Sequence, residues 1–125
     1  MIGKDNLIHT KSRNFAVRIV KMVAYYDERL SFTYRPMLQQ ILKSGTSIGA
    51  NIRESQYAES QDDFVHKLRI ALKEANETDF WLDIFHDSQL LSDEVYDSII
   101  ADCKELIKLL ITIINKSISN SSTPK

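Results

Sequence analysis

At 125 residues, with 43% apolar and 26% charged side chains, the chain can build one hydrophobic core but not two, and its composition excludes a disordered protein. A formal net charge of −1 and a single cysteine exclude a strongly basic nucleic-acid coat and an internal disulfide framework. Three glycines and two prolines leave little turn chemistry for many short strands, so long helices are expected.

Four helical segments follow one another. The first spans about 6–30, where Phe15, Ile19, Met22, Tyr26 and Leu30 recur at spacings of four and three. The second spans about 35–57, with Pro36 in its first turn and Met37, Ile41, Leu42, Ile48 and Ile52 on the apolar side. The third, about 60–87, opens on Ser60 with Asp62 and Asp63 behind it, a good N-terminus. Its stripe of Phe64, Leu68, Ala71, Ala75, Thr78, Leu82 and Phe85 runs without a break. The fourth, about 92–118, is capped by Ser92 and carries Tyr96, Ile99, Cys103, Leu106, Leu110 and Ile113 in the same rhythm. Short linkers make successive helices antiparallel neighbours. The expected fold is all-α, an antiparallel up-down-up-down four-helix bundle over residues 1–119 with a flexible polar tail at 120–125.

The opening MIGKDNLIHTKSRNF lacks the apolar core of a secretory signal, and no apolar run approaches the roughly eighteen residues of a membrane span. A cytoplasmic protein without a membrane partner is expected. Charge is divided unevenly: residues 1–53 hold nine Lys/Arg against three Asp/Glu, a net of +6, and residues 54–125 hold seven against fourteen, a net of −7. That division fits either a nucleic-acid surface or a front half that pairs with the back half.

In the second helix, SGTSIGANIRES sets Gly45 and Gly49 one turn apart on one face. Glycine costs about 1 kcal/mol against alanine in a helix, so a partner helix nearer than the usual 8–10 Å or so is expected there. Ser47 and Ala50 are read as widening the same close-packing surface. A phosphate loop is disfavoured, because Ala50 and Asn51 stand where the Walker pattern needs Lys and Ser/Thr.

The stretch LKSGTSIGANIRESQYAESQDDFVHKLRIALKEANETDFWL resembles the four-helix-bundle family of proteins encoded in intervening sequences of bacterial 23S ribosomal RNA genes, which also contains the accessory variability protein of diversity-generating retroelements. The resemblance implies a bundle that assembles into a pentameric ring, with ribosomal or other structured RNA and a protein as candidate partners. It implies no catalytic residues. The retroelement relative is implied to bind nucleic acid through a strongly basic surface, which this near-neutral chain does not share.

Chemistry-bearing patterns are sparse. Asp63 with His66 and Asp83 with His86 each place a carboxylate and an imidazole one turn apart, but about 30 Å of helix separates the pairs, and they read as solvated surface pairs. No arginine stands four to six residues before His9, His66 or His86, the spacing of helical RNA-cleaving domains. Cys103 lies on the apolar stripe as a small hydrophobe. No enzyme activity, metal or cofactor is expected.

Two surfaces remain as binding candidates. Lys4, Lys11, Arg18, Lys21, Tyr25 and Arg29 share a sector of the first helix, cations for phosphates and an aromatic ring for a base. Ile100, Ile107, Ile111, Ile114 and Ile118 form a second seam on the fourth helix, while Ile70, Trp81 and Ile84 point away from the core line of the third. A bundle helix needs one apolar face, so the surplus predicts a homo-oligomer interface. The function expected is a non-catalytic oligomeric scaffold or binding module, with an RNA-binding accessory role through the first helix as the alternative.

Overall fold

The computed structural model describes residues 4–122, with side chains from Leu7 to Asn120. Four helices follow in order: α1 (Lys4–Arg29), α2 (Arg35–Ser55), α3 (Gln61–Asp87) and α4 (Asp93–Ser122), with a 3-10 turn (Phe32–Tyr34) leading into α2. Ser12 faces Gly49 and Ile19 faces Gly45, so rising numbers on α1 meet falling numbers on α2. Lys11 with Glu105 and Arg18 with Asp102 set the same antiparallel register between α1 and α4. Each helix packs on its chain neighbour, and α1 and α4 close the bundle as the least intimate pair.

Local signals set the helix starts. Ser60 accepts the Asp63 backbone N–H at 3.0 Å, and the Asp63 carboxylate accepts the Glu59 N–H at 3.1 Å, satisfying two donors. Ser92 accepts from Val95 N–H at 3.3 Å to start α4. No side chain caps α2; the 3-10 turn and Pro36 deliver the chain into it instead.

The α3–α4 turn is a Schellman motif. Leu90 N–H reaches the Phe85 carbonyl at 3.1 Å, Gln89 N–H reaches that of His86 at 2.9 Å, and Gln89 is left-handed at φ 64°. The fourth helix outruns its expected end at 118 and takes in residues 120–122 of the expected tail. No glycine interrupts it. Residues 123–125 lie outside the described ones.

The four apolar stripes meet in one core. Ile19, Ile41, Ile48, Ile52, Ala71, Ala75, Leu82, Phe85, Ile99, Cys103 and Leu110 have no exposed surface. Small buried polar groups fill the tight places. Thr78 Oγ1 is 2.9 Å from Ser44 Oγ across α2 and α3 and 2.8 Å from the Glu74 carbonyl, so both hydroxyls are satisfied.

Candidate interaction surfaces

The glycines of α2 do meet a close neighbour. A Cβ built on Gly45 would lie 2.8 Å from Ile19 Cγ1 and 2.9 Å from its Cγ2; one on Gly49 would lie 3.2 Å from the Ser12 carbonyl oxygen. Ser47 and Ala50 are not pressed into that contact. Ser47 donates to the Lys43 carbonyl of its own helix at 2.6 Å, and Ala50 is exposed. The close-packing face is therefore Gly45 and Gly49, with Ser44 serving the opposite seam toward α3.

The basic sector of α1 is largely engaged within the chain. Lys11 Nζ pairs with Glu105 at 2.8 Å; Arg18 pairs with Asp102 at 2.8 Å and donates to Ser98 Oγ at 2.8 Å. Arg29 lays its guanidinium 3.7 Å over the Tyr25 ring and donates to the Tyr25 carbonyl at 2.9 Å, so one face of that ring is covered. Lys21 is exposed, and the Lys4 side chain lies outside the described residues. Among the described residues, Lys11, Arg18, Tyr25 and Arg29 are thus not left as an open cationic surface. The basic front half pairs with the acidic back half across the α1–α4 seam.

The second apolar seam divides. Ile100 and Ile114, at 8% and 4% exposure, belong to the core of the single chain, and Ile107 packs against it. The expectation that Ile100 and Ile114 lie in an interface does not hold, because the buried sector of α4 is wide enough to face α1 and α3 together. Ile111 and Ile118 stay exposed on α4, at 43% and 40%. On α3, Ile84 and its neighbour Phe80 are exposed at 39% and 55%, and Ile70 is half-buried. Trp81 packs edge-on to Phe80 with centroids 5.2 Å apart, and its buried indole N–H has no acceptor among the described residues.

His86 serves the α3–α4 turn rather than a centre shared with His66. His86 Nε2 is 2.6 Å from Asp93 Oδ1, and its ring stacks on Tyr96 at 4.0 Å. Tyr96 donates to Asp83 at 3.2 Å; burial first, and then this bond, raise its phenol above the ordinary pKa. Asp63 is occupied at the α3 cap while His66 is exposed. Burial pushes the Cys103 thiol up to about 12, where it donates to the Ala75 carbonyl at 3.4 Å. A thiol held protonated in this way is a packing group. Among the described residues no cluster of three or more His, Cys, Asp or Glu side chains is arranged to hold a metal ion.

One pair is not among the residues expected from the sequence. Arg13 and Arg53 line a groove of about 680 Å³ along the outer α1–α2 seam, with His9, Thr10, Ala50 and Glu54. The signal was present: Arg13 follows Ser12, Arg53 lies one turn beyond Gly49, and Ser12 and Gly49 touch.

The profile of the 23S rRNA-intervening sequence protein family matches residues 4–112. The chain belongs to that family. A 1.70 Å crystal structure of a protein of unknown function from the S23 ribosomal protein family of Bacteroides thetaiotaomicron is similar at 50% identity and a TM-score of 0.85, covering 90% of this chain and 99% of that one. No curated protein matches the chain. No described helix of this intervening-sequence protein is long and apolar enough to cross a membrane.

Proposed function

We propose that this intervening-sequence protein is a non-catalytic helical scaffold that works as a homo-oligomer. The observation that carries the reading is the apolar surface a single chain leaves open: Phe80 and Ile84 on α3, Ile111 and Ile118 on α4. Phe80 and Ile84 stand one turn apart near the level of Tyr96 and Lys104, while Ile111 and Ile118 lie farther along α4 toward the level of Gln61, so the open apolar surface forms two separate patches. Single apolar side chains on a surface are ordinary, whereas paired ones mark contacts. Contact between different patches closes into a ring when the rotation allows, and a pentamer is the size the family resemblance implies. Ribosomal RNA or a protein would be the cargo of such a ring.

The alternative, RNA binding through the basic sector of α1, is weakened by the ion pairs of Lys11 and Arg18. Light scattering tests the main reading. The expected mass is a multiple of 14.4 kDa, falling when Ile84 and Ile111 are both changed to glutamate. A folded wild-type chain that stays at 14.4 kDa at high concentration overturns it.

A further inference from the structure

Most arginines of the first two helices have carboxylate partners. Arg18 pairs with Asp102, Arg35 with Asp27, and Arg29 lies within 3.7 Å of Glu28. Arg13 and Arg53 have no ion pair among the described residues, and both line the same groove over the Gly49–Ser12 contact of α1 and α2. That coincidence has a geometric cause. The Gly49–Ser12 contact draws the helices together, so the side chains flanking it, Arg13 on one wall and Arg53 on the other, stand over a shared floor of Gly49, Ala50 and Ala16.

Two planar guanidiniums present forked donors that match the oxygens of a phosphate. Thr10 adds a hydroxyl at the rim, and the floor carries no bulky side chain to hold a ligand off. Glu54 also lines the groove, beyond ion-pairing distance of either arginine, and leaves the two guanidiniums in excess. At about 680 Å³ the groove has the volume of a small-ligand site, roughly 300–1,000 Å³, which exceeds the need of a bare inorganic anion.

We infer that the groove between Arg13 and Arg53 binds a phosphate ester, each guanidinium engaging it from one wall of the α1–α2 seam. The inference does not depend on assembly of the scaffold. The same chemistry is offered by a small phosphorylated metabolite and by the phosphodiester backbone of a single strand.

The test uses the full chain, a short fluorescein-labelled single-stranded oligonucleotide followed by anisotropy, and a nucleoside monophosphate followed by calorimetry. Arg13→Gln with Arg53→Gln is compared with Lys11→Gln with Arg18→Gln, circular dichroism confirming that both fold. The groove variant should weaken whichever probe binds by roughly tenfold or more, while the control variant retains affinity. If the strand is the ligand, the log–log salt slope should also shrink by about 0.7, for the one phosphate no longer engaged. The inference fails if neither probe binds the wild type at low salt, or if both variants bind alike. It also fails if the groove variant changes only the solution mass, which would mean that carboxylates of a second copy occupy the groove.

Discussion

Gly45 sits against Ile19 so closely that a Cβ at 45 would lie 2.8 Å from one γ-carbon and 2.9 Å from the other. A β-branched side chain has no rotamer that moves both γ-carbons away from the same neighbour. The helices must part, or Ile19 must go.

Gly45→Ala is therefore expected to destabilise the chain by about 1–3 kcal/mol, overpacking outweighing the roughly 1 kcal/mol gained in helix propensity. Gly49→Ala should cost less, since its Cβ would meet the Ser12 carbonyl oxygen at 3.2 Å, where a shift of a few tenths of an ångström is enough. Ile19→Ala alone leaves a cavity costing about 2–5 kcal/mol. In the Gly45→Ala background it should cost at least about 1 kcal/mol less. Urea unfolding of the four chains measures the cycle, and additive effects would contradict the close contact.

The left-handed Gln89 offers the opposite kind of change. Gln89→Gly relieves a conformation that L residues adopt at a cost of about 1 kcal/mol. Thermal unfolding should rise by a few degrees, whereas the same exchange at exposed Gln40, inside α2, should lower it.

Stability should also fall in alkali for an identifiable reason. The folded Cys103 thiol, raised by burial from 9.0 to about 12, keeps its proton where the unfolded thiol has lost it. Folded chains then bind more protons than unfolded ones, and stability present below pH 9 drains away as the pH climbs toward 12. Tyr96, also raised, adds to the loss. Cys103→Ala should flatten the alkaline fall in denaturant midpoint relative to wild type, even though it starts lower for lost packing. Native Cys103 should resist thiol reagents at pH 8 until the chain is unfolded.

The α1–α4 pairs give a fourth expectation. Arg18→Gln should cost about 0.5–1 kcal/mol and Lys11→Gln less, because Arg18 holds both Asp102 and Ser98 and exposed ion pairs contribute little. Both penalties should shrink when unfolding is repeated in high salt.

The helices were legible because their stripes are regular: Phe64 to Phe85 on α3 and Ile99 to Ile113 on α4 all lie in the core or packed against it. The Ser60 cap was legible for the same local reason. What sequence could not supply was which helix stands beside which sector. Lys11 looked like an open cation because nothing local reveals Glu105, ninety-four positions away. Ile100 and Ile114 looked surplus because the width of the α4 buried sector depends on two neighbours at once. Arg13 and Arg53 came together only through the contact between Ser12 and Gly49, a tertiary fact written in two small residues.

The α1–α4 seam has a mechanical consequence. Three edges of this bundle are zipped by side chains of adjoining segments, whereas the fourth joins the first and last helices with a thinner apolar strip and a row of ions. The molecule is built like a rolled mat fastened along one margin, and brine should loosen that margin first. Deuterium should enter the amides lining it before it reaches those between α2 and α3.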